Sequence, residues 1–128
     1  MARSKSEQLT PLELEIMKVL WEAAPANVQI VQKRLGRELA YTTVQTMLNI
    51  LLRKGKVKRT LKDKAYYYRP VVSRRQVIGQ TIGDLIDRLF EGSAESLVMS
   101  LVETRHITPE KLASLNALLD KEESDGKG

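Results

Sequence analysis

Apolar residues recur at helical spacing three times along the first part of the chain and then switch to strict alternation. Leu12, Ile16, Val19 and Leu20 fall at i, i+4, i+7 and i+8, one stripe of a helix. Leu14, Met17 and Trp21 widen that stripe enough for cover on more than one side. Thr10-Pro11-Leu12-Glu13 opens the helix: Thr10 can cap, Pro11 suits the first helical position, and Glu13 completes a capping box. Ala23-Ala24-Pro25 ends it. A second helix is expected after Asn27, burying Val28, Val31 and Leu35, with Gly36 near its end. A third is expected over about Tyr41 to Lys54, with Gly55 as the residue that closes it. Its core stripe is Val44, Met47, Leu48, Leu51 and Leu52.

Val57-Lys58-Arg59-Thr60-Leu61 reads as a strand, Lys62-Asp63-Lys64 as a tight basic turn, and Ala65-Tyr66-Tyr67-Tyr68-Arg69 as a second strand stopped by Pro70. Of the three tyrosines, Tyr67 is the one assigned to the core. Three helices followed by a two-stranded hairpin outline a winged helix-turn-helix. From Ser73 the pattern is helical again. Ser73 and Gln76 form a second capping box, Ser93 starts a short helix, and Thr108-Pro109-Glu110 starts the last one. The expected fold is therefore mostly α with a small β-hairpin wing. It divides into an N-terminal arm (1–8), a winged-helix domain (9–72), a helical dimerisation region (73–122) and a tail (123–128), the arm and tail read as flexible.

Charge sharpens this division. Residues 1–72 carry 14 Lys/Arg against 6 Asp/Glu, a balance of +8, whereas residues 73–128 carry 7 against 10, a balance of −3. One half thus suits a polyanion and the other does not. With six aromatic residues in 128, the chain has few large rings to bury, and self-association is one way to compensate. The absence of cysteine excludes disulfides, thiol catalysis and thiolate metal sites, and fits a reducing cytoplasm. No apolar run approaches the roughly 20 residues of a membrane span.

The candidate chemistry is nucleic-acid binding, with double-stranded DNA as the partner. Arg53, Lys54, Lys56, Lys58, Arg59, Lys62 and Lys64 fall within twelve residues and are opposed only by Asp63. They run from a helix C-terminus into a hairpin tip, where cations reach phosphates. Tyr41, Arg53, Lys54, Lys58, Lys62 and Lys64 are taken as phosphate contacts. Thr42, Thr43, Gln45, Thr46 and Asn49 occupy the polar side of the third helix and are taken as base readers. Gln and Asn pair with adenine, and Thr offers a hydroxyl and a methyl group. No acidic residue occurs from Ala40 to Lys62, so no carboxylate repels the phosphates there. Ile78, Ile82, Leu85, Leu89, Leu97, Leu101, Leu112, Leu115 and Leu119 form the apolar stripes assigned to a homodimer interface.

No catalytic residue, metal ligand or cofactor is expected. The single histidine, His106, sits in a turn beside Arg105, and no glycine-rich phosphate loop exists. Two other readings of the residues stand beside plain DNA binding: a ligand-sensing winged-helix regulator, and a winged helix serving as a protein-interaction module.

Leu9-Thr-Pro-Leu-Glu-Leu-Glu-Ile-Met-Lys-Val-Leu-Trp21, Ala40-Tyr-Thr-Thr-Val-Gln-Thr-Met-Leu48, Lys54-Gly-Lys-Val57 and Tyr66-Tyr-Tyr-Arg-Pro70 together resemble the penicillinase-repressor (BlaI/MecI) family. Copper-responsive repressors belong to its wider membership. The resemblance spans about residues 8–122. It implies a homodimeric transcriptional repressor on a palindromic operator, with the third helix in a major groove and the C-terminal helices joining the subunits. It also implies control of genes such as β-lactamase, and release when a membrane-bound sensor triggers proteolysis in the dimerisation region. The family's Asn-Phe cleavage bond is matched here by Ser100-Leu101, and Ile50 stands where many relatives carry Arg. The cysteine-rich metal motif of the copper-responsive branch has no counterpart.

Overall fold

The computed structural model describes residues 8–127, with side chains as far as residue 123; the N-terminal arm except Gln8 lies outside the described residues. In chain order it contains α1 (Pro11–Ala23), α2 (Val28–Arg34), α3 (Tyr41–Arg53), β1 (Val57–Lys62), β2 (Ala65–Pro70), α4 (Arg74–Leu89), α5 (Ala94–Glu103) and α6 (Pro109–Lys127). Two compact units result, one reaching to Gly79 and one beginning at Gln80. The division therefore falls inside α4 rather than between residues 72 and 73. Val72 carries the first unit beyond the wing: it packs against that unit's core, and its carbonyl accepts from Trp21 Nε1 at 2.9 Å.

Helices α1 and α2 begin, and α3 ends, where the sequence offers a partner for the unpaired backbone groups, whereas α3 begins at Ala40 with no side-chain cap. Thr10 Oγ1 accepts from Glu13 N at 3.2 Å while Glu13 Oε1 accepts from Thr10 N at 2.8 Å, which is the capping box of α1. Asn27 Oδ1 accepts from Ile30 N at 2.9 Å and starts α2. At the end of α3, Gly55 adopts φ 74°. Gly55 N then reaches Leu52 O and Lys56 N reaches Leu51 O, the paired bonds of a glycine-closed helix.

β1 and β2 pair antiparallel from Val57↔Pro70 to Lys62↔Ala65. Lys62 is thus a strand residue, and the turn is two residues long, not three. Asp63 and Lys64 have φ 51° and 67°, the conformation whose twist matches a hairpin. Pro70 joins the ladder as its last residue, an end position that proline tolerates.

The core of the first unit draws on every element. It comprises Ile16, Met17, Val19 and Leu20 of α1, Val28, Val31 and Leu35 around α2, Val44, Leu48 and Leu51 of α3, and Val57, Ala26 and Tyr68. The buried tyrosine is Tyr68, 2% exposed, and not Tyr67. A backbone bridge decides this: Tyr68 N donates to Ala26 O at 2.8 Å and Ala26 N donates to Tyr68 O at 3.0 Å. That bridge draws the face of β2 carrying Tyr68 against the helices and leaves Tyr67 on the other face.

The three C-terminal helices, α4 to α6, are well capped but bury little. Ser73 and Gln76 form the expected reciprocal box at the start of α4, Ser93 Oγ caps α5, and Thr108 Oγ1 caps α6. No residue of α4 or α5 is fully buried. Leu89, Leu118 and Leu119 are 69%, 59% and 63% exposed. The backbone of α6 continues to Lys127, through the stretch expected as a tail; Lys121, Glu122 and Glu123 are strong helix formers that let it do so.

Candidate nucleic-acid interface

A face of α3 stands clear of the core because the helix buries only Val44, Leu48 and Leu51. At about 100° per residue, Thr42, Thr46, Asn49 and Arg53 form the stripe opposite those three, and all four are exposed. Thr43 and Gln45 flank the stripe, also exposed. Every residue expected to read bases is therefore on one accessible surface, free of carboxylates. Tyr41, at the head of the helix, is 45% exposed.

The hairpin distributes its cations over two faces. By register, Lys58, Lys62, Thr60, Ala65, Tyr67 and Arg69 lie on one side, and Val57, Arg59, Leu61, Tyr66, Tyr68 and Pro70 on the other. Lys58 and Lys62 are exposed on the side away from the core, and Lys64 is exposed in the turn. All three are available to phosphate.

Lys54 is placed differently from the expectation. Its Nζ lies 2.8 Å from Glu13 Oε1 and 3.0 Å from Gln8 O, and its side chain is 16% exposed. The ammonium satisfies an otherwise buried carboxylate, so Lys54 joins α3 to the start of α1 rather than offering a charge to phosphate. The sequence presents it as one cation in a run, and only the fold brings Glu13 to it.

Two features of the wing were not singled out from sequence. The Arg59 guanidinium lies 3.9 Å over the centre of the Tyr66 ring, a cation–π contact that holds both side chains. Leu61, 60% exposed, faces Tyr66 across the ladder. The signal for this pairing is the turn length: with Asp63-Lys64 as the turn, alternation puts Arg59, Leu61 and Tyr66 on one face.

Of the residues assigned to a dimer interface, Ile78, Ile82, Leu85, Leu89, Leu101, Leu115 and Leu119 are exposed, while Leu97 and Leu112 are half-buried. In the second unit, Met99, Val102, Leu112, Leu115 and Leu119 line an apolar groove of about 730 Å³. The Ser100–Leu101 bond lies inside α5, and Ser100 O accepts from Thr104 N at 2.9 Å. Among the described residues, no helix is long and apolar enough to cross a membrane.

Residues 9–121 match the family profile described as Penicillinase repressor. The penicillinase repressor of Bacillus licheniformis is 26% identical over 125 residues, covering 96% of this chain and 98% of that protein. The transcriptional regulator BlaI of Mycobacterium tuberculosis is 33% identical over 104 residues, covering 78% of this chain and 75% of that protein. Among solved structures, the DNA-binding domain of the repressor BlaI aligns with a TM-score of 0.50 at 30% identity, covering 58% of this chain and 93% of that one. With its winged-helix first unit and a profile match reaching into α6, this chain belongs to the penicillinase repressor family.

Proposed function

We infer that this chain is a transcriptional repressor, a homodimer that binds a palindromic operator in double-stranded DNA through α3. The observation that carries this reading is the exposed, carboxylate-free stripe of Thr42, Thr46 and Asn49, with exposed cations in the adjoining wing. Side chains of this kind discriminate base edges in a major groove, and the wing's lysines add affinity that does not depend on sequence. Repression follows from the relatives, which are named penicillinase repressor and methicillin resistance regulatory protein MecI. Such work is done on DNA, in the cytoplasm.

Homodimerisation is supported by the apolar side chains that α4, α5 and α6 leave exposed. A two-fold partner covers such faces and places two copies of α3 on half-sites one helical turn apart, or a multiple of it. Release by a sensor-linked protease at Ser100–Leu101 requires α5 to unwind locally, because proteases cut extended chain.

The decisive experiment is selection of bound duplexes from a randomised pool, followed by gel shift of the winners against the unselected pool. An enriched inverted repeat bound as a dimer is the expected result. Absence of any shift at about 50 mM salt, where phosphate contacts are strong, overturns the reading.

A further inference from the structure

Between the wing tip and the first turns of α2 and α3 lies a cleft of about 220 Å³. Gln29, Tyr41, Gln45, Lys64 and Tyr66 line it, together with the buried Tyr68. Asn27 also borders it, and because its Oδ1 is taken by Ile30 N, the atom it has left to offer is the amide nitrogen, a donor. Among the described residues, no carboxylate lines the cleft; the closest in sequence is Asp63, exposed in the turn beside Lys64. An ammonium, phenol hydroxyls and amides around a space of this size are the partners of an anion.

The cleft is also held in shape. Tyr66 carries the Arg59 guanidinium 3.9 Å from its ring centre, and the adjacent β2 backbone is pinned by the Ala26–Tyr68 bridge. On α3, Tyr41 and Gln45 are one turn apart and lie on the flank of the Thr42–Thr46–Asn49 stripe that borders the cleft. The inference rests on the DNA-binding reading. With α3 in a major groove and the wing at the neighbouring minor groove, the sugar–phosphate strand separating the two grooves runs along this cleft.

We propose that the cleft seats one phosphodiester of each half-site, with Lys64, Tyr66, Tyr41 and Gln29 sharing donation to its non-bridging oxygens. Gln45 then acts on the backbone and not on base edges. This makes the space between wing and helix a register stop: the strand enters only where a phosphate meets the donors, which fixes how far α3 advances along the groove.

The test compares wild-type protein with Tyr66→Phe, Gln29→Ala and Lys64→Gly variants. Each is titrated over a range of salt against a duplex selected by the wild type and against the unselected pool. Tyr66→Phe retains the ring and its Arg59 contact, so it removes the hydroxyl alone. It is expected to weaken binding to both duplexes by the same factor, about tenfold for one hydrogen bond to a charged group. Lys64→Gly is expected to flatten the dependence of log affinity on log salt by about one unit. A single methylphosphonate, walked through the selected duplex, should find one position per half-site that costs the wild type affinity and costs Lys64→Gly distinctly less. If Tyr66→Phe and Gln29→Ala bind both duplexes like the wild type, the cleft holds no phosphate and the proposal falls while DNA binding stands. If the wild type binds no duplex, both readings fall.

Discussion

Oε1 of Glu13 accepts two hydrogen bonds at the same distance, 2.8 Å, from Thr10 N and from Lys54 Nζ. One carboxylate oxygen therefore caps α1 and secures the C-terminal end of α3 to it. Glu13 is 1% exposed, the one buried charged residue among those described. A carboxylate in that position needs its cation, because desolvation is otherwise uncompensated.

Lys54→Met should accordingly lower stability by about 2–4 kcal/mol, somewhat below the roughly 3–5 kcal/mol for removing one partner of a fully buried pair, because the Lys54 side chain is 16% exposed. Chemical denaturation measures this. The double variant Glu13→Gln with Lys54→Met should recover part of the loss. Neither change should alter the salt dependence of DNA binding below the unfolding transition, in contrast to a phosphate contact.

The stripe proposed to read bases makes a prediction about preference. Thr46→Ala and Asn49→Ala should each cost about 1–3 kcal/mol on the selected duplex and almost nothing on random DNA. Competition gel shifts with the two duplexes read the ratio. Equal losses on both would remove these residues from the reading of bases.

In the wing, stability and binding should separate. Lys62→Ala should weaken binding to all duplexes alike without affecting folding. Lys64 holds φ 67° in a turn that favours glycine at that position. Lys64→Gly should therefore raise the melting stability, by about 0.5–1 kcal/mol, as left-handed strain is relieved, even as DNA affinity falls.

For the second unit, Leu115→Asp and Leu85→Asp place a carboxylate on exposed apolar faces. Light scattering should show monomers, and operator affinity should fall steeply because the second half-site loses its linked partner. Unchanged dimer mass would place the interface on other residues.

The local devices of this protein were legible in its residue order. The capping pairs Thr10/Glu13 and Ser73/Gln76, the closing Gly55 and the switch from helical spacing to alternation at Val57 each depend on neighbours a few residues apart. The polar stripe of α3 was legible for the same reason, since helical spacing alone separates Thr42, Thr46 and Asn49 from Val44, Leu48 and Leu51. Three other matters were settled by contacts across the chain. Tyr68 rather than Tyr67 is buried because Ala26 bridges to its backbone, and strand alternation cannot say which face meets the core. Lys54 is withdrawn from the basic run because folding brings Glu13 to it over forty-one positions of sequence. The residues that line the wing cleft, among them Gln29 from α2, Tyr41 from α3 and Tyr66 from β2, share no local pattern. Spacing determines what a segment becomes and which of its sides is polar; which charges and hydroxyls converge is decided only when the segments pack.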